Sequence, residues 1–450
     1  MRRLLPILLL LICGSAVWAQ PARLLNEFLS DSTLKWASVG VDLRAVDGGE
    51  QIVEHNSHYA LIPASVTKLI STAYALDICG ADHTLKTKVH LDDGRLIINA
   101  VGDPTLDSKY FPEYNFLKSV VESLQPMGVK SIDTVIINSQ ILSEGRYNGT
   151  WLSEDVANYY GANWLPFNWN DNSCKITIGS NFTKSYFISE EPSAGICNYN
   201  CLVNVERGTL PDVWIYGGAN GYREIRGVMD TNMKSYSVNG SMGFPELYFN
   251  RELKRILQWH SAAEKREDYN NVPVFEYVSP RFSEIVKVAN RRSVNLYVEA
   301  LANVAANMVD GPGTYCDKIE RWLEGIADDY KGVVLKDACG LAPLNRVPVS
   351  VFADLLLWGR ERWDSAFYNS LAISGDTGTL KNFTRSYPHL HGKIVAKSGS
   401  MSGVRALSGY IKAKSGKEYA FAIIVNGFTC SGSAVMNSIA SFLSKLYVEL

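Results

Sequence analysis

Beyond its first nineteen residues the 450-residue chain has no uninterrupted apolar run of about 18 residues, so no later segment is expected to cross a membrane as a helix. It also lacks an excess of charge of either sign. With 44 Lys and Arg against 46 Asp and Glu the formal net charge is −2, which leaves no basic reservoir for a phosphate backbone and excludes nucleic acid as an expected partner. Histidine is sparse at 7 residues, closely spaced only as His55-x-x-His58 and His389-x-His391. Neither pair has a nearby cysteine or a helical glutamate, so they are read as surface or hydrogen-bonding residues, not metal ligands. Cysteine is scarce and odd in number after residue 19: Cys79, Cys174, Cys197, Cys201, Cys316, Cys339 and Cys430. Cys174 with Cys197 or Cys201, and Cys316 with Cys339, are the sequence-local disulfide options, and spacing does not choose among them.

What is present starts with Met1-Arg2-Arg3, an apolar stretch from Leu4 to Cys13, and the small-residue zone Gly14 to Ala19. Those are the three zones of a secretory signal, with cleavage expected after Ala19 and a mature protein soluble outside the cytoplasm. Ile12 stands where a lipoprotein signal wants a small residue, which argues against a lipid anchor on Cys13. The rest, with 46% hydrophobic and 20% charged residues, is an ordinary globular composition, long enough for more than one domain.

Residues 22–34 have the pattern of a short amphipathic helix. Trp36 to Val46 and Gln51 to His55 read as a hairpin about Asp47-Gly48-Gly49. From about His83 the texture changes to short strands, including Lys86 to Leu91, Arg95 to Ala100 and Thr134 to Asn138, and stays β-rich to about Asn271. Helical spacing then returns: Pro280 to Ala289, Ser293 to Met308, Cys316 to Tyr330 and Ser350 to Arg360. Strand-like Lys393 to Lys397, Val404 to Lys412 and Glu418 to Asn426 precede a closing helix, Ser433 to Leu450. This layout predicts an α/β (α+β) catalytic domain, residues 20–82 plus 272–450, interrupted by an inserted β-rich segment, residues 83–271.

The stretch on which chemistry centres is Pro63-Ala64-Ser65-Val66-Thr67-Lys68, leading into an apolar helix-compatible run to Cys79. A spacing of three puts Ser65 and Lys68 on one helical face, where an amine can take the hydroxyl proton and the helix N-terminus favours developing negative charge. The pattern alone is weak, since Ser32 and Lys35 repeat it. Two further stretches matter: Ser293-Val294-Asn295 at the start of a helical segment, and Lys397-Ser398-Gly399-Ser400 within the strand-rich C-terminal region. Ser237-Val238-Asn239 and Lys414-Ser415-Gly416 are decoys, the first in a polar Gly-rich stretch and the second with the composition of an exposed hairpin turn.

Taken in chain order, these stretches resemble the Ser-x-x-Lys, Ser-x-Asn and Lys-Ser/Thr-Gly motifs of the penicillin-recognising serine peptidases. More narrowly, the sequence resembles the D-alanyl-D-alanine carboxypeptidase/endopeptidase family of the penicillin-binding protein 4 type, peptidase family S13. The resemblance rests also on Gly102 to Leu106, Trp151 to Ala162, Asp337 to Val347, Gly375 to Leu380 and Gly403 to Tyr410. Val294 in the second motif, Ser398 in the third and Arg405 depart from the usual pattern.

The resemblance implies a penicillin-binding-protein/β-lactamase-like transpeptidase domain with a large insert, in a periplasmic enzyme acting on peptidoglycan stem peptides and sensitive to penicillin. It implies that Ser65 forms an acyl-enzyme, that Lys68 is the base, that Ser293 relays a proton to the leaving amine, and that Asn295 holds a substrate amide. Backbone N–H groups of Ser65 and Ser400 form the oxyanion hole, Lys397 and Ser398 receive the terminal carboxylate, and Gly399 lets substrate lie along the strand edge. No metal or organic cofactor is implied, and β-lactams and peptidoglycan peptides are the expected ligands. The competing readings are a β-lactamase-like hydrolase, against which the long insert argues, and a catalytically dead wall-binding or scaffolding protein. The lone Asp376-Thr377-Gly378 triplet lacks the second carboxylate of an aspartic peptidase.

Overall fold

The computed structural model describes residues 20–141, 147–181, 183–218, 221–259 and 269–450. The proposed signal segment and Cys13 lie outside them. Contacts divide the chain into two compact units: residues to Gly80 with Val286–Ser293 and Val309–Leu450, and Ala81–Ile285 with Val294–Met308.

The first unit is built on a six-stranded sheet. Its strands are β1 (Ser38–Ala45), β2 (Gln51–His55), β3 (Ala372–Ile373), β4 (Ile394–Met401), β5 (Val404–Lys412) and β6 (Glu418–Asn426), in the order β3-β4-β5-β6-β1-β2. β5 and β6 lie in the middle and are buried along almost their whole length, as the near-continuous apolar run Tyr419 to Val425 requires. Alternate residues face opposite layers. Val41, Leu43, Leu407, Phe421 and Ile423 pack against helix α1 (residues 20–29) and the C-terminal helix Gly432–Glu449, where Phe28 stacks on Phe442 at 4.7 Å.

Tyr410, on the opposite face, donates its buried hydroxyl to the Leu356 carbonyl of helix Val349–Arg362. A side chain at Gly40 on that face would strike Val349. Helix α2 (Thr67–Cys79) belongs to the same unit and is buried on every side from Thr67 to Leu76, which is why its sequence shows little amphipathic contrast.

Most expected elements form with boundaries shifted by a few residues, and two differ in kind. Lys397 does not end its strand: β4 runs on to Met401, because Lys397, Ser398, Gly399 and Ser400 each pair with β5, opposite Ser408, Leu407, Ala406 and Arg405. The expected helix Cys316 to Tyr330 stops at Trp322 and breaks into short 3-10 turns at Leu323–Gly325 and Tyr330–Gly332, as Gly325 removes helix propensity. Among the described residues none of the seven cysteines stands in a disulfide, so neither local pairing forms.

The second unit contains a four-stranded sheet ordered Val272–Val278, Lys86–Asp92, Arg95–Asn99, Thr134–Asn138, and two three-stranded sheets. Val89, Leu96, Ile98, Phe116, Phe249 and Leu253 are among its core residues. The decoy Ser237–Asn239 lies within a regular strand of this unit, Ser235–Ser241.

Candidate active site

In the first unit the chain enters the Ser65 turn under constraint from several sides. Asn426, at the end of β6, grips the preceding residue with both ends of its amide, accepting from Ile62 N at 2.8 Å and donating to Ile62 O at 3.1 Å. Pro63 then takes near-helical angles (φ −84°, ψ −17°), and Ala64 is forced into the left-handed region at φ 47°. That conformation costs on the order of 1–3 kcal/mol in a non-glycine residue and persists only when its surroundings over-determine it. Gly340 is one such surrounding: a side chain there would sit 2.0 Å from the Ala64 carbonyl oxygen. Thr67 donates its hydroxyl to the same oxygen at 2.8 Å.

Lys68, one turn on, is fully buried. Its ammonium nitrogen lies 3.0 Å from Ser65 Oγ and 2.5 Å from the Cys339 carbonyl. That carbonyl belongs to a loop knitted around the buried carboxylate of Asp337, which accepts from Gly340 N (2.7 Å), Ala342 N (2.6 Å) and Asn345 Nδ2 (2.7 Å). Ser71, one helical turn beyond Lys68, donates to the Ala338 carbonyl of the same loop at 2.7 Å.

Ser293 is also held in a left-handed conformation, at φ 58°. The helical segment before it is tied down by Asn290, whose amide donates to Thr72 Oγ1 of α2 and to Ser370 Oγ. Ser293 Oγ accepts from Lys397 Nζ at 3.0 Å, a bond that joins residues 104 apart in the chain. Lys397 also donates to the Ser398 carbonyl at 2.7 Å. Both partners are neutral. Burial, and after it the charge of Lys68, hold the Lys397 ammonium well below the ordinary lysine range.

β3 covers β4 only at Val395 and Ala396, so among the described strands the edge of β4 from Lys397 onward has a sheet partner on one side alone. Gly399 brings that edge against the Ser65 turn: a side chain there would lie 2.8 Å from the Pro63 carbonyl oxygen and 3.2 Å from the Ser65 amide nitrogen. Glycine is what lets strand and turn approach this closely. Ser398 donates its hydroxyl to Thr379 Oγ1 at 2.7 Å. Ser400 is exposed on the same strand.

The structure therefore gathers Ser65, Lys68, Ser293, Lys397, Ser398, Gly399 and Ser400 in one unit. Asn295 opens helix Asn295–Asn307 in the second, and within that unit its side-chain amide donates to the Tyr160 carbonyl at 2.7 Å. Sequence reasoning assigned no role to Thr379, Asp337 or the Cys339 carbonyl. The stretches around them were visible as motifs, but a backbone carbonyl carries no residue signature. Arg405 lies over Phe428 at 5.6 Å and donates to the Met401 and Val404 carbonyls, bracing the β4–β5 turn. Asp376-Thr377-Gly378 is a turn in which Thr377 Oγ1 accepts from Ile373 N.

A family model described as the D-Ala-D-Ala carboxypeptidase 3 (S13) family matches residues 22–446. A D-alanyl-D-alanine carboxypeptidase of Actinomadura sp. (strain R39) is 27% identical over 98% of this chain and 89% of its own. The crystal structure of penicillin binding protein 4 (dacB) from Haemophilus influenzae superposes with a TM-score of 0.77 at 17% identity, covering 94% of this chain and 98% of that one. The same protein complexed with a β-lactam gives a TM-score of 0.71 at 16% identity over the same shares. The chain belongs to the D-Ala-D-Ala carboxypeptidase 3 (S13) family and is a serine-type carboxypeptidase.

Proposed function

We propose that the enzyme removes the terminal D-alanine of peptidoglycan stem peptides, and opens cross-links ending in the same D-amino-acid bond, through an acyl-enzyme on Ser65. The observation that carries this reading is the 3.0 Å contact between Ser65 Oγ and the buried Lys68 ammonium nitrogen. In its neutral form Lys68 takes the Ser65 proton as Oγ attacks the carbonyl of the penultimate D-alanine. The oxyanion meets the backbone N–H groups of Ser65 and Ser400, worth about 3–4 kcal/mol per donor in comparable acyl transfer. Collapse expels D-alanine, whose amine receives a proton relayed by Ser293, and water then hydrolyses the ester to restore Ser65.

Lys397 and Ser398 receive the substrate carboxylate. The depressed Lys397 ammonium regains a counter-charge when that carboxylate arrives, so substrate binding and protonation of Lys397 reinforce one another. The half-open edge of β4 supports an extended substrate backbone laid beside Gly399. Asn295, two residues after Ser293, holds a substrate amide. Residues 83–271 form an insert, and residues 1–19 direct export to the periplasm.

The test is intact mass after incubation with benzylpenicillin. The wild type is expected to gain the mass of one drug molecule and Ser65→Ala none. An adduct on both proteins, or intact drug and unmodified wild-type enzyme after prolonged incubation, rules the mechanism out.

A further inference from the structure

Helix Asn295–Asn307 starts without help from its own N-cap. Val294 offers no side-chain acceptor to the orphan N–H groups of the first turn. The fixation comes from Tyr297, two residues after Asn295. Its side chain is fully buried between Tyr110, edge-on at 5.9 Å, and Phe111, stacked at 6.2 Å.

The Tyr297 hydroxyl lies 2.5 Å from Ser108 Oγ, and Ser108 passes a hydrogen bond on to Asp171 Oδ1 at 2.6 Å, itself 3.3 Å from the tyrosine oxygen. Lys109 completes the group, 3.7 Å from the other Asp171 oxygen. Asp171 reaches this position from an unusual turn. Asn170, Asp171 and Asn172 are all left-handed, at φ 53°, 54° and 46°. Asn and Asp tolerate that region as single residues, but three in succession are held only where tertiary contacts compel it, and such strain concentrates at functional sites. Asn172 supplies part of the compulsion, its side-chain Oδ1 accepting from Trp169 N and its Nδ2 donating to Asn163 O. Meanwhile the Tyr160 carbonyl fixes which way the Asn295 amide faces, since Nδ2 is committed to it.

We propose that Asp171, through Ser108 and Tyr297, is a positioning residue for Asn295. The strained Asn170–Asn172 turn and the Tyr160 carbonyl lock the first turn of the helix and the orientation of the Asn295 amide. This rests on the role proposed above for Asn295. It also gives functions to the sequence stretches around Gly102–Ser108 and Trp151–Ala162.

The experiment is a double-mutant cycle with two readouts, the rate of acylation by benzylpenicillin and the melting temperature. Tyr297→Phe keeps the ring packing and removes only the hydroxyl. It is expected to slow acylation by about tenfold or more, the scale of a sub-ångström misplacement of a working group. In an Asn295→Ala background the same change is expected to have no further effect on the rate, while lowering the melting temperature equally in both backgrounds. Asp171→Ala is expected to behave like Tyr297→Phe, and Asp171→Asn, which keeps an acceptor oxygen, to recover most of the rate.

Wild-type acylation by Tyr297→Phe, or a rate loss equally large with and without Asn295, overturns the proposal and leaves the network purely structural. If Asn295→Ala itself acylates at the wild-type rate, the proposal falls together with the role of Asn295. That outcome is distinct, because in the former cases Asn295→Ala is slow.

Discussion

Replacing Asp337 by alanine is expected to damage the Ser65 turn from behind, without touching any atom of Ser65 or Lys68. The carboxylate is fully buried and accepts from Gly340 N, Ala342 N and Asn345 Nδ2 at 2.6–2.7 Å. Hydrogen bonds to charged groups contribute about 1.5–3 kcal/mol each, and the stripped donors stay buried, so three at the lower value give about 4–5 kcal/mol. At about 2–4 °C per kcal/mol for a domain of this size, the melting temperature is expected to fall by about 8–20 °C.

The loop that relaxes carries the Cys339 carbonyl bound to Lys68 and the Gly340 backbone packed on Ala64. A displacement of about 1 Å there lowers acylation on the order of a hundredfold. Asp337→Asn keeps one acceptor oxygen and turns an amide N–H toward a backbone N–H, for about 1–3 kcal/mol. Calorimetry and timed intact-mass measurements with benzylpenicillin read the two effects. An alanine variant that melts within about 3 °C of wild type and acylates at an unchanged rate refutes the claim that this carboxylate supports Lys68.

Thr379→Val removes the acceptor of the Ser398 hydroxyl. A hydrogen bond of about 0.5–1.5 kcal/mol is at stake, so KM for a D-Ala-D-Ala peptide is expected to change by up to about tenfold with kcat nearly constant, and an unchanged KM counts against carboxylate binding by Ser398. Asp103 is expected to make the fold less stable as pH rises. Its carboxyl is fully buried with Oδ2 unpartnered, and burial pushes it up to about 6 from an ordinary 3.8. Between those values the folded state binds more protons than the unfolded, so stability falls as pH increases, by about 3 kcal/mol in all. Asp103→Asn is expected to flatten that part of the stability curve; an equal slope in both proteins assigns it to other groups.

Much of the architecture was legible because it follows from local chemistry. Val404 to Lys412 and Glu418 to Asn426 alternate or run apolar as central strands must, and their expected limits are those observed. The helix after Ser65 shows as an apolar run of helical length, its start marked by Pro63. Elsewhere local pattern stopped short. Gly399 and the polar residues around it look like a strand end, yet pairing with β5 carries β4 through to Met401.

Covalent spacing pointed to Ser65 and Lys68 as neighbours, and they meet at 3.0 Å with Ser65 in a 3-10 turn, Ala64–Val66, that leads into helix α2. The order of motifs likewise pointed to the family to which the chain belongs. Only tertiary structure decided that Lys397 meets Ser293 across 104 residues, that a carbonyl from the Asp337 loop holds Lys68, and that Ala64 and Ser293 are bent into left-handed conformations. These depend on backbone groups and on contacts between distant segments, which side-chain identity along the chain does not encode one residue at a time.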